Sequence, residues 1–150
     1  MKTILILEDN DERIAAFRKA IESLDSDFEM KIWKDAPSMI AEAEAFFPSA
    51  ALISLHHDLN PRPGATADPG TGLDLARYLA DFPPACPVLI HSSNTDRAWS
   101  IHNELRFAEW TVDRIGPLGE DWIGTFWLRR VRELVTEHPN TWPSELPADR

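Results

Sequence analysis

Ile4-Leu5-Ile6-Leu7-Glu8-Asp9-Asn10 is the stretch that decides the fold. Four consecutive apolar residues run straight into two carboxylates and an asparagine. An uninterrupted apolar run of that length is what a strand covered on both faces requires. Asn10 is suited to cap a helix, with Asp11 and Glu12 in a first turn where the helix dipole favours negative charge. Ile14, Phe17, Ile21 and Leu24 then recur at spacings of three and four and make one apolar stripe. The unit is a buried strand, a polar strand end and an amphipathic helix.

The same unit repeats along the chain. Phe28 to Trp33 alternates and reads as a second strand. Asp35 before Pro37 starts a helix carrying Met39, Ile40, Ala43 and Phe47, which Pro48 ends. Ala51 to Leu55 is a third strand, followed by a Pro/Gly-rich stretch from Asn60 to Gly72 and a helix bearing Leu73, Leu75, Ala76 and Leu79. Pro87 to Ile90 is a fourth strand, and Asn94 or Thr95 caps a helix with Ala98, Ile101 and Leu105. Trp110 to Ile115 is a fifth. A last helix runs from about Glu120 to Thr136 with Ile123, Trp127, Val131 and Leu134 on one side. Five strand–helix units predict an α/β fold, a doubly wound five-stranded parallel sheet of strand order 2-1-3-4-5. Residues 1–137 make one domain. Residues 138–150, rich in proline, make an irregular C-terminal extension that Trp142 is able to dock.

The chain has 150 residues, 43% of them hydrophobic, enough for one cored domain. With 25 acidic against 15 basic residues its net charge is −10. That surface argues against general binding to duplex nucleic acid, which needs clustered Lys and Arg. A small phosphorylated ligand held through a metal ion stays compatible with it. Cys86 is the single cysteine and reads as a small apolar filler. Ile4 to Leu7 is shorter than a signal-peptide core, and no segment has the ~20 apolar residues of a membrane span. The expectation is a cytoplasmic protein that does not enter the membrane.

In such sheets, ligands bind beyond the carboxyl ends of the strands at the point where strand order reverses. The first strand ends in Glu8-Asp9, the third in His56-His57-Asp58 and the fourth in His91-Ser92-Ser93-Asn94. The order 2-1-3-4-5 makes these three ends neighbours. Glu8, Asp9 and Asp58 are candidate ligands for Mg²⁺ or Mn²⁺. With His56 added, the mixed carboxylate–imidazole set leans toward Mn²⁺, Fe²⁺ or Zn²⁺. His57, His91 and Asp58 are candidates for moving a proton on a phosphoester. Ser92, Ser93 and Asn94 are candidate phosphate contacts at a helix start. Alternate residues on a strand face opposite sides, so His56 and His57 are not both expected to meet one ligand. Pro61 to Thr71, with Arg62, is long enough to cover the edge. His102 and His138 read as surface residues.

Leu5-Ile6-Leu7-Glu8-Asp9-Asn10 resembles the first strand and acidic pair of response-regulator receiver domains, which share the flavodoxin-like order. Gly72 to Ala80, GLDLARYLA, resembles the helix after that family's phosphorylation loop, and Pro87 to Ser92 its fourth strand. Two positions depart from the pattern. His56 follows Leu52-Ile53-Ser54-Leu55, where the family has its phospho-accepting aspartate. Arg114-Ile115-Gly116-Pro117 stands where the family has Lys-Pro. A nearer resemblance is to the divergent cyclic-phosphate-processing receiver domains, whose third strand ends in a pattern like Ser-Leu-Asp-His-Asp-Leu; Ser54-Leu55-His56-His57-Asp58-Leu59 is similar. That resemblance implies a metal-dependent phosphoesterase whose ligand is a nucleotide phosphoester or an RNA cyclic-phosphate end. The other reading is a non-catalytic receiver, or one phosphorylated on Asp58 in an altered register, that acts as a protein-interaction module. A homodimer or a protein partner is open under both.

Overall fold

The computed structural model describes residues 1–61, 63–64, 66–117 and 119–143. Arg62 of the covering loop and the last seven residues of the extension lie outside them. Five strands form one sheet in the order β2-β1-β3-β4-β5: β1 (Lys2–Leu7), β2 (Phe28–Trp33), β3 (Ala50–Leu55), β4 (Val88–His91) and β5 (Val112–Ile115). All four pairings are parallel. The helices between them are α1 (Asp11–Glu22), α2 (Ala36–Glu42), α3 (Gly72–Leu79), α4 (Thr95–Phe107) and α5 (Leu128–Glu137).

The two-residue period of the strands sorts side chains between two cores. Leu5, Leu7, Ile53, Leu55, Val88 and Ile90 face α2, α3 and α4. Ile4, Ile6, Leu52 and Leu89 face α1 and α5, meeting Phe17, Ile21, Trp127 and Val131. Each such Leu or Ile contributes about 1.5–3 kcal/mol of burial. Carrying the period forward from Ile6, Leu52 and Leu89 brings Glu8, Ser54, His56 and His91 to the α1/α5 side.

The helix starts follow their caps. Asn10, Asp35 and Asn94 each accept a backbone N–H of the first turn. Thr71 and Asp74 form a capping box at α3. Three boundaries differ from the sequence reading. The second helix is α-helical only to Glu42 and tightens to a 3₁₀ turn over Ala43–Ser49. Pro48 inside that turn offers no N–H and crowds the carbonyl four residues back, so an α-helix cannot continue through it. The last helix opens with a π-helical turn, Ile123–Trp127. The fifth strand begins at Val112, because Glu109 (φ 70°) and Trp110 end α4 instead, donating to the carbonyls of Arg106 and Leu105.

Beyond α5, Asn140 donates to the carbonyls of Phe47 and Ala50, Thr141 to that of Ala85. Trp142 packs on Phe47 and Phe82. Cys86 is buried, which pushes its thiol pKa up. Among the described residues, no helix is long and apolar enough to cross a membrane.

Candidate functional site

The three polar strand ends touch one another. Glu8 leaves β1 with no solvent exposure. Its carboxylate accepts five hydrogen bonds: from the backbone of Asp9 (3.0 Å) and Asn10 (3.1 Å), from Arg13 Nε (2.8 Å) and Nη2 (3.1 Å), and from His91 Nε2 (3.2 Å). Burial alone would raise the Glu8 pKa. The hydrogen bonds from His91 and Arg13 outweigh it and hold the carboxyl well below the usual carboxylate range. His91 is 1% exposed, and burial lowers its pKa against the pull of Glu8, so the ring is neutral. Arg13 is therefore the counter-charge of Glu8.

A neutral His91 with its proton on Nε2 has a lone pair on Nδ1. That nitrogen lies 2.6 Å from Ser54 Oγ. The hydroxyl accepts from Trp127 Nε1 at 3.0 Å and has a second acceptor in reach, the Leu89 carbonyl, at 3.0 Å. The imidazole is walled by Phe17 and Trp122. Glu8, His91, Ser54 and Trp127 thus form one buried polar chain from the sheet edge to the turn before α5.

His56 stacks on His91 with ring centroids 5.6 Å apart and planes 17° apart. Its Nδ1–H donates to the His91 carbonyl at 2.9 Å, which leaves Nε2 with the lone pair. Ligand atoms of Glu8, His56 and His91 all lie within 4.8 Å of one another. One carboxylate and two imidazoles suit Mn²⁺, Fe²⁺ or Zn²⁺, and a ring whose other nitrogen is tied to a carbonyl is the usual posture of a metal-binding histidine. The donor set fits a divalent metal once Arg13, a third exposed, gives up Glu8 Oε1.

The remaining candidates lie toward the rim, with His57 and Ser92 buried there. Asp58 is exposed; its Oδ1 accepts from His57 Nδ1 at 2.9 Å and its Oδ2 from Asn94 Nδ2 at 3.3 Å. The His57 bond is the main reason its pKa is lowered. Asp9 Oδ2 accepts the Asn60 N–H at 2.6 Å. Ser92 accepts the Asn94 N–H at 3.1 Å, and Ser93 is exposed. The structure thus brings Glu8, His56 and His91 into one group, and His57, Asp58 and Asn94 into another. Neither Asp9 nor Asp58 belongs to the first. A polar cleft of about 300 Å³, with Asp9, Asp11, Arg13, Lys34 and Asn60 in its walls, opens beside them.

Sequence reasoning missed Arg13, Lys34, Ser54 and Trp127. Ser54 left a signal, a hydroxyl inside an otherwise apolar strand. Trp127 left none, because a buried indole donor looks like any core tryptophan. Arg114, on β5, lies over the Trp99 ring at 3.7 Å from its centroid, directed toward α4.

No protein-family model matches the sequence, and no curated protein matches it. Solved structures do. The Mn²⁺-bound form of response regulator Rcp1 superposes with a TM-score of 0.66 at 15% identity, covering 96% of this chain and 100% of that one. The response regulator domain of Thermotoga maritima CheB gives 0.64 at 16% identity, over 91% and 97%. The receiver domain of Francisella response regulator 1452 gives 0.65 at 13% identity, over 91% and 98%. Five parallel strands in the order 2-1-3-4-5, with this likeness over nearly the whole chain, make it a receiver-like domain by fold.

Proposed function

We propose that this receiver-like domain holds a divalent metal on Glu8, His56 and His91 and handles a small phosphoester at the sheet edge, with cyclic nucleotide or RNA-end phosphates as the substrate class. One observation carries the reading. At the place of the family's phospho-accepting aspartate stands an imidazole with a ring nitrogen within 4.8 Å of ligand atoms of Glu8 and His91. An imidazole there cannot form the acyl phosphate of ordinary phosphorelay. It is a good ligand for a borderline metal. That response regulator Rcp1, of the same fold, has a Mn²⁺-bound form supports metal binding here.

The bound metal would neutralise phosphate charge and polarise a water. The chain's own groups do the rest. Asp58 holds His57 through Nδ1, so the imidazole keeps a lone pair on Nε2 for accepting a proton. Asn94, Ser92 and Ser93 present N–H and O–H donors at the start of α4, an anion-favouring position. Arg13 and Lys34 place cations along the cleft.

A second reading rests on the saturation of Glu8 by five protein donors. On it, the chain is a regulatory module, and the exposed Asp58 carboxylate is the group open to phosphorylation. The test is metal analysis of protein purified without a metal-binding tag, followed by phosphorus NMR of 2′,3′-cyclic and 3′,5′-cyclic nucleotides. Bound metal, turnover, and loss of both on His56→Ala support the proposal. Turnover that falls on Asp58→Ala while metal stays bound supports the proton role of the rim pair. A protein without metal or turnover that gains a phosphoryl group on Asp58 from acetyl phosphate overturns it for the regulatory reading.

A further inference from the structure

We infer that Ser54 is a positioning residue whose hydroxyl lets His91 exchange its Nε2 proton for a metal ion at no cost in buried hydrogen bonds. This rests on the metal reading and adds how the site is gated. Ser54 is the next-to-last residue of β3, with no solvent exposure, flanked by the buried apolar Ile53 and Leu55. It has one hydrogen and two acceptors, His91 Nδ1 at 2.6 Å and the Leu89 carbonyl at 3.0 Å. Its third partner, Trp127 Nε1, is a donor only.

Two hydrogen-bond arrangements satisfy this geometry. In the first, Ser54 donates to His91 Nδ1 and His91 donates from Nε2 to Glu8. In the second, Ser54 turns its hydrogen to the Leu89 carbonyl, His91 donates from Nδ1 to Ser54 Oγ, and Nε2 carries a lone pair facing Glu8 Oε1. Trp127 donates to Ser54 in both. One proton changes nitrogen on a ring that stays neutral, and none leaves it. In the second arrangement Nε2 and Glu8 Oε1, 3.2 Å apart, are both acceptors. Two lone pairs at that distance repel unless a metal ion accepts both. The second arrangement is therefore the metal-bound one and the first the metal-free one.

Without the hydroxyl, Nδ1–H of His91 and Nε1–H of Trp127 would both lose their acceptor in a dry core, and the metal-competent tautomer would lose its support. Partners of this kind typically change metal affinity by about 10–100-fold. The test uses chelator-stripped protein, Zn²⁺ titration by calorimetry and long-range ¹H–¹⁵N NMR of the His91 ring. The proton is expected on Nε2 without Zn²⁺ and on Nδ1 with it. Ser54→Ala is expected to weaken Zn²⁺ binding by about 10–100-fold, and Ser54→Thr, which keeps the hydroxyl, to restore most of it. A His91 proton that does not move on Zn²⁺ saturation overturns the inference, as does Ser54→Ala binding as tightly as wild type. If Ser54→Ala does not fold, the wild-type NMR comparison alone decides. Wild-type protein that binds no Zn²⁺ fails the metal reading and this one together; Zn²⁺ binding indifferent to Ser54 fails only this one.

Discussion

Replacing Glu8 by Gln keeps shape and volume but converts one acceptor oxygen into a donor. The consequence follows from the five bonds the carboxylate accepts. If the new amide nitrogen takes the Oε2 position, it faces the N–H groups of Asp9 and Asn10 and the Nη2 of Arg13. If it takes the Oε1 position, it faces Arg13 Nε and the Nε2–H of His91. Either way at least two donors lose their acceptor, and Arg13 loses its counter-charge. Each orphaned buried donor costs about 1–3 kcal/mol, and breaking a buried ion pair costs about 3–5 kcal/mol. Arg13 is a third exposed and recovers some hydration, so about 3 kcal/mol is expected. For 150 residues that is roughly a 10 °C fall in Tm, read by circular dichroism in chelator. The pH dependence has a fixed sign. The folded-state pKa of Glu8 is depressed, so its stabilisation is complete above the ordinary carboxylate value of about 4.3 and fades as pH falls below it. The gap between wild type and variant should be level from neutral pH to about 5 and narrow further into acid. A variant melting within about 2 °C of wild type at neutral pH, or a gap that widens in acid, would refute the reasoning.

Three further outcomes follow from the backbone and core. Gly72→Ala would place a Cβ 2.5 Å from the His56 carbonyl oxygen and 3.0 Å from the His57 Cα, backbone atoms that cannot yield; a loss of about 3 kcal/mol in a urea titration is expected, and under about 1 kcal/mol would contradict the packing. Glu109 is the described non-glycine residue with positive φ, at 70°, so Glu109→Gly should stabilise by about 0.5–1 kcal/mol; a destabilised variant would mean that the glutamate side chain matters there. Cys86, buried with its thiol pKa raised, should resist iodoacetamide at pH 8 in the folded protein and react at the rate of unfolding. Immediate labelling under native conditions would show the site to be open.

Much of this architecture was written in local pattern. Ile4 to Leu7 is apolar without a break, and Ala51 to Leu55 is apolar but for Ser54, because both faces of β1 and β3 are covered. Asn10, Asp35 and Asn94 cap because a short acceptor stands one residue before each helix. The meeting of the three polar strand ends was also legible, since strand order alone brings them together. Depth was not. Nothing local says that Glu8 is sealed by Arg13 while Asp58, equally acidic, stays in water. That depends on α1 laying its first turn across the end of β1. The link from Ser54 to Trp127 spans 73 positions in sequence and exists only after α5 packs on β3. The 3₁₀ and π-helical turns escaped for a related reason, because periodicity shows which residues are apolar and not how tightly the backbone winds between them.

The long excursion from Leu59 to Thr71 is held at its feet. Thr71 bridges Asp58, Gly72 donates to the His57 carbonyl, Asn60 to Asp9, and the Pro69 carbonyl receives Ala36. Lengthening a flexible loop costs only about 0.6 kcal/mol for each doubling. Extra residues added inside those clamps, between Asn60 and Pro69, should therefore ride on an undisturbed scaffold, which makes this the natural place to graft new recognition beside the strand ends.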